Sequence, residues 1–387
     1  MRRLTLDYLK TESGSGLVLA AAAVAAVGVA NSRLGGDYFA LLAAPVPVRI
    51  GDLGETLSLA GWVRVLMMPV FFFLLAMELK FELLRGELSN PRRLALPAVA
   101  VAGGLVLPAA IYLALNRHDP SGWAIGCATD GAAALTAFSL AGPRLSHSLR
   151  VLLMSVAVVG NLAAVLLTAI LDDSALDDDM LIGAAAVLGL LTLLARWRRA
   201  PFLFYAAGFA LVWGFTLKSG LDTALAGVAC AFTVPIGMRR PGQDSMLRYF
   251  MESLHAYVAF AVRPLFVFTV VGVAYRELRL TDLAQAAPLG VMLALMVGKP
   301  LGVFTACAAS IGLKIARRPT GAKWLELLGV ALLCGAGGAV SYYIAGMGAA
   351  ATPAVRTAIL IASTVTAVAG GWLLSMAQRT REDSPPP

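Results

Sequence analysis

Cys127-Ala-Thr-Asp-Gly-Ala-Ala133 sets a carboxylate in the middle of the apolar run 123–141. The Thr129 and Asp130 side chains compete with the backbone for hydrogen bonds, and Gly131 adds freedom, so an unbroken helix is disfavoured there. Asp130 is the only acidic residue in the middle of an apolar segment, and an ionisable group in hydrocarbon is costly and marks function by default. A second interruption, Cys334-Gly-Ala-Gly-Gly-Ala-Val-Ser341, falls in the run 324–347, with Gly335, Gly337 and Gly338 too flexible for a comfortable helix. A buried cation, Lys299, lies in Val297-Gly-Lys-Pro-Leu-Gly302, deep in the run 284–313.

Outward from these stretches the chain reads as twelve apolar segments: 17–30, 62–79, 94–115, 123–141, 151–171, 180–195, 202–217, 221–238, 254–275, 284–313, 324–347 and 354–376. The interrupted ones are the fourth and the eleventh. Transporters built from inverted repeats place broken helices at matching positions and bind their cargo where the breaks cross. Two such breaks leave two helix N-termini, which a carboxylate such as Asp130 balances. They also leave two C-termini, for which an ammonium such as Lys299 is the complement.

Composition points the same way. Of 387 residues, 59% are hydrophobic and 14% charged, against roughly 45–50% and about 25% in soluble chains. This excludes a soluble enzyme, a nucleic-acid partner and a disordered chain, and the bilayer becomes the expected environment. The net charge of +8 is explained by topology. With the N-terminus inside, 21 Lys and Arg fall on the cytoplasmic side and 7 on the other, while Arg64, Arg263 and Lys299 lie within spans. Both termini are therefore expected in the cytoplasm and the acidic loop 172–179 outside. The four cysteines all sit in apolar runs and the three histidines lack ligand spacing, so no disulfide framework, metal cluster or cofactor is indicated. Arg2-Arg3 and the apolar run after them have the look of a signal peptide, but so many spans follow that a retained first helix is preferred.

Residues 45–59 alternate apolar and polar around Gly51-Asp-Leu-Gly54, the pattern of a short β-hairpin. A lone hairpin is marginal in water, so residues 46–59 are expected to join two copies into a homodimer. The organisation is then one transporter domain, 1–380, with 381–387 as a disordered cytoplasmic tail.

The chain resembles the NhaA family of bacterial sodium/proton antiporters over nearly its whole length. The resemblance rests on the order and spacing of several stretches. They are Phe71-Phe-Phe-Leu-Leu-Ala-Met-Glu-Leu-Lys-Phe-Glu-Leu83, Gly122-Trp-Ala-Ile125 with Ala128-Thr-Asp130, Leu217-Lys-Ser-Gly220, Leu225-Ala-Gly227, Pro264-Leu-Phe266, Gly298-Lys-Pro-Leu-Gly302 and Leu333-Cys-Gly335. It implies an all-α polytopic membrane protein of the bacterial inner membrane, with about twelve helices in inverted repeats, two of them broken and crossing. It also implies an outer dimerisation hairpin and exchange of Na⁺ or Li⁺ for H⁺. On this likeness Asp130, Thr129, Asn161 and Lys299 form the site, with Na⁺ at Asp130 and Asn161. Glu78, Glu82 and His255 fall where the family senses pH. One departure stands out. The family carries two adjacent aspartates in its fifth helix, where this chain has Val158-Val-Gly-Asn-Leu-Ala163. Asn161 offers sodium a carbonyl oxygen but no titratable proton. Two rivals therefore stand beside antiport: a transporter for an anion or organic solute, suggested by Arg64 and Arg263, and a transport-inactive paralogue acting as sensor or dimer partner.

Overall fold

The computed structural model describes residues 12–50, 53–142, 145–171, 176–196, 202–237, 245–348 and 351–382. In chain order its elements are α1 (Glu12–Ala30), α2 (Gly35–Ala43), β1 (Pro45–Ile50), β2 (Leu53–Ser58), α3 (Leu59–Leu84) and α4 (Pro91–Leu115). A 3-10 stretch, Pro120–Cys127, leads to α5 (Gly131–Ala141), followed by α6 (His147–Leu171), α7 (Asp178–Arg196), α8 (Phe202–Ser219) and α9 (Ala224–Thr233). The chain continues through α10 (Met246–Val270), α11 (Ala286–Gly312), α12 (Trp324–Cys334), α13 (Gly338–Ala345) and α14 (Pro353–Glu382). Among the described residues nine helical stretches are long and apolar enough to cross a membrane; α1 and α2 qualify together as one bent span, and α8 and α9 are shorter apolar helices. Taken in order, these fall on the twelve apolar segments of the sequence.

The chain forms two compact units, one from Met1–Arg33, Glu87–Ala164 and Val270–Pro387, the other from Leu34–Gly86 and Val165–Thr269. In the first unit α4 and α11 touch backbone to backbone. A Cβ on Gly103 would lie 2.2 Å from the Gly302 carbonyl oxygen, and one on Gly302 would lie 2.1 Å from that of Gly103. Lipid gives helices little hydrophobic reason to associate, so small residues that permit close approach do that work. The contact seats Lys299 one turn away on α11.

Both α10 and α11 widen into a π turn, at Val258–Val262 and Ala294–Gly298. Each turn ends immediately before a cation and a proline, Arg263-Pro264 and Lys299-Pro300. The proline ring has no N–H for the carbonyl four residues back and crowds it, and a wider turn relieves the crowding.

In the second unit β1 and β2 pair antiparallel, from Pro45 opposite Ser58 to Ile50 opposite Leu53. The hairpin has anchors within its own chain: Trp62 Nε1 donates to Val46 O at 2.8 Å, and Lys218 Nζ reaches Glu55 Oε1 at 2.7 Å and Gly54 O at 2.6 Å. Of the stretch 381–387 read as a disordered tail, Arg381 and Glu382 belong to α14. Gln378-Arg-Thr-Arg-Glu382 contains good helix formers, which suits the continuation of the helix. Residues 383–387, the first eleven residues and positions 172–175 of the acidic loop lie outside the described residues.

Candidate functional site

The fourth segment breaks at Ala128-Thr-Asp130, which is extended (Ala128 ψ 152°, Asp130 φ −79°, ψ 97°) between the 3-10 stretch and α5. Unpaired backbone groups in a membrane interior cost several kcal/mol each, so their partners define the site. Thr129 N–H donates to Asn161 Oδ1 and Thr129 O accepts from Asn161 Nδ2, both at 2.8 Å. Asp130 N–H donates to Ala336 O at 2.6 Å, and Asp130 O accepts from Ala134 N–H at 2.9 Å. Side chains close the circuit with the eleventh segment: Thr129 Oγ1 donates to Cys334 O at 2.7 Å, and Ser341 Oγ to Ile125 O at 2.8 Å. The two broken segments thus cross at their breaks.

Asp130 caps both half-helices. Its Oδ1 accepts from Ala132 and Ala133 N–H at 3.1 and 3.3 Å, and its Oδ2 from Ala339 N–H in the first turn of α13 at 3.0 Å. One carboxylate therefore faces two positive helix ends. Lys299 Nζ donates to Cys127 O, at the negative end of the 3-10 stretch. Thr129, Asp130, Asn161 and Lys299 are all at most 1% exposed.

The glycines play unequal parts. Gly131 is an ordinary helical residue that opens α5, so the break there comes from the Asp130 cap rather than from glycine freedom. Gly335 and Gly337 also have ordinary helical φ, −73° and −68°. Gly338 is the residue that needs to be glycine: its φ is +46°, and a Cβ there would lie 2.5 Å from Asp130 Oδ2. Asn161 differs from the sequence expectation in its first task. Its amide presents one donor and one acceptor to a peptide that offers the complement, so it braces Thr129 as a neighbouring strand would. Beside it, a Cβ added to Gly160 would meet nothing within 4 Å. Sequence reasoning overlooked Ser341 and also Ser363, whose Oγ accepts from Gly338 N–H at 3.0 Å. A hydroxyl inside the glycine-rich stretch was the available signal for Ser341.

Glu78, Glu82 and His255 lie in the second unit. His255 Nδ1 stands 4.0 Å from Glu78 Oε1, and Glu78 is within electrostatic reach of Glu82 and of Arg263. Lys80 Nζ, in contrast, donates to Phe232 O and Val234 O at 2.6 Å and so closes the C-terminal end of α9. Arg263 lies over the Phe71 ring, 5.6 Å from its centroid.

Broken membrane helices that cross at a buried carboxylate and ammonium define a polytopic transporter. The family model described as Na⁺/H⁺ antiporter 1 matches residues 6–374. The chain is 38% identical over 382 residues to a Na⁺/H⁺ antiporter NhaA of Campylobacter concisus (strain 13826), covering 97% of this chain and 93% of that protein. It is 40% identical to Na⁺/H⁺ antiporter NhaA 2 of Pseudomonas syringae pv. syringae (strain B728a), covering 94% and 92%. It is 37% identical to a Na⁺/H⁺ antiporter NhaA of Vibrio campbellii (strain ATCC BAA-1116), covering 97% and 95%. The chain belongs to the Na⁺/H⁺ antiporter 1 family, that of NhaA.

Proposed function

We propose that the chain exchanges Na⁺ or Li⁺ for H⁺ across the bacterial inner membrane as a single transporter domain, 1–380, with Asp130 as the group both substrates share. The observation that carries this is the Asp130 carboxylate, buried where two helix N-termini meet. A carboxylate holds either a proton or a hard cation, and the two compete for its oxygens. Thr129 and Asn161 add oxygen donors beside it. Lys299 neutralises the opposing helix end and lowers the cost of the empty, ionised site. Glu78, Glu82 and His255 form a pH-responsive group, because protonated His255 is drawn to Glu78. Replacing His255 with Asn then moves the pH profile of exchange without abolishing it.

Everted vesicles carrying a pH-gradient dye test the exchange directly. Na⁺ and Li⁺ added to energised vesicles should dissipate the gradient, K⁺ should not, and Asp130→Asn should be silent. One observation favours a second, transport-silent reading: both ends of the Asn161 amide are engaged with Thr129. Parent vesicles that ignore Na⁺ and Li⁺ at every pH would establish it. Cytoplasmic termini and the homodimer complete the proposal. Single cysteines at Ser174 and Ser245 should label from opposite faces, and deleting 46–59 should halve the mass by light scattering.

A further inference from the structure

A cavity of about 870 Å³ opens at one end of the first unit, between the starts of α4 and α6 and the segment after α11. Arg93, Lys314, Arg317 and Arg318 line it together with His147, and no carboxylate does among the described residues. Its floor is apolar: Leu96 and Leu152 belong to the buried cluster that also holds Leu153 and Leu327. Loop cations that serve topology alone have no reason to converge on one concavity. We propose that this cavity binds a phosphate-bearing anion, supplied by the headgroup of an anionic lipid.

Two further observations point to a ligand. Lys314 ends α11 with φ +60°, donating to Ile311 O at 3.1 Å, while Ile315 N–H donates to Ser310 O at 2.9 Å. This is a glycine-type helix stop, with a lysine where a side chain is sterically disfavoured. Lys314 lines the cavity from this left-handed position, where glycine would bring no charge. Arg318 is held over the Trp324 ring, 5.9 Å from its centroid, and tryptophan favours the headgroup level of a bilayer. Ile315, which lines the cavity, is 63% exposed, and Leu313 next to Lys314 is 72% exposed. Arg93, Lys314, Arg317 and Arg318 are exposed around an apolar floor, and a basic rim beside exposed apolar side chains suits a phosphodiester that carries acyl chains better than it suits free phosphate.

The full-length protein in neutral detergent is titrated with phosphatidylglycerol, phosphatidylcholine or inorganic phosphate while its thermal midpoint is followed. Phosphatidylglycerol should raise the midpoint and phosphatidylcholine should not. In the double variant Arg317→Gln/Arg318→Gln the half-maximal concentration should rise about thirtyfold, at about a fivefold loss per cation near the surface. Lys314→Gly is the guard against misfolding. It relieves the left-handed residue, so its lipid-free midpoint should not fall, yet its half-maximal concentration should rise about fivefold. Stabilisation by inorganic phosphate with the same losses in the variants would keep the site and make its occupant soluble. The proposal is overturned if neither anion stabilises the parent, if phosphatidylcholine does so equally, or if both variants respond as the parent does.

Discussion

Asn161→Asp changes one atom type and almost no volume, so it isolates what the amide does. The parent side chain donates to Thr129 O and accepts from Thr129 N–H, each at 2.8 Å and away from water. An ionised carboxylate keeps the second bond and loses the first. It leaves a buried carbonyl without its donor, at about 1–3 kcal/mol, and sets a negative oxygen against that carbonyl, which adds to the loss. A protonated carboxyl can donate again. Proton uptake therefore favours the folded variant, and its deficit relative to the parent should be full at pH 8 and should shrink as pH falls toward 5. Gly160→Asp is the companion. A Cβ there meets nothing within 4 Å, so it adds a buried carboxylate without breaking the Thr129 pairing, and its own cost is desolvation alone. Thermal midpoints in detergent at both pH values provide the readout. An Asn161→Asp variant as stable as the parent at pH 8, or one whose deficit ignores pH, would refute the bracing role.

The remaining expectations concern neighbouring contacts. Thr129→Val keeps the shape but removes the donor to Cys334 O, and should lower stability by about 1–3 kcal/mol in chemical unfolding. Gly302→Val drives a side chain into the Gly103 carbonyl; it should part α4 from α11 and reduce both the thermal midpoint and exchange, whereas Gly312→Ala, with open space around it, should not. Gly338→Ala forces a left-handed alanine, at about 1–2 kcal/mol, and displaces Asp130; exchange in vesicles should fall further than stability does. Lys80→Met strips the donor from Phe232 O and Val234 O and should loosen the end of α9, read as faster amide exchange there.

The polytopic class, the hairpin and the two breaks are legible in the sequence because each is local: a run of apolar residues, a two-residue alternation, a carboxylate or a glycine cluster where neither belongs. Asp130 and Lys299 announce themselves by being charged in hydrocarbon. What the sequence conceals is pairing. Asn161 reads as a cation ligand from its type alone, and its pairing with the Thr129 peptide is invisible there, because an amide serves an ion or a peptide equally well. The Gly103–Gly302 contact is hidden for the same reason, since either glycine alone is one of 38. Gly131 misleads in the opposite direction, its conspicuous position being a by-product of the cap before it.

The partners of the Thr129-Asp130 break are spread along the chain, and a ribosome delivers them one after another. Asn161 follows Thr129 by 32 residues, but Cys334 comes 205 residues later, and Ala339 is 209 beyond Asp130. At 5–20 residues per second the interval for the latter two is about 10–40 s. Throughout that time the fourth segment carries a carboxylate and loose peptide groups that only the eleventh can satisfy. A nascent chain stopped before residue 324 should hold that segment outside the hydrocarbon or in the care of the insertion machinery. The centre of the protein therefore cannot close until the eleventh segment has been made.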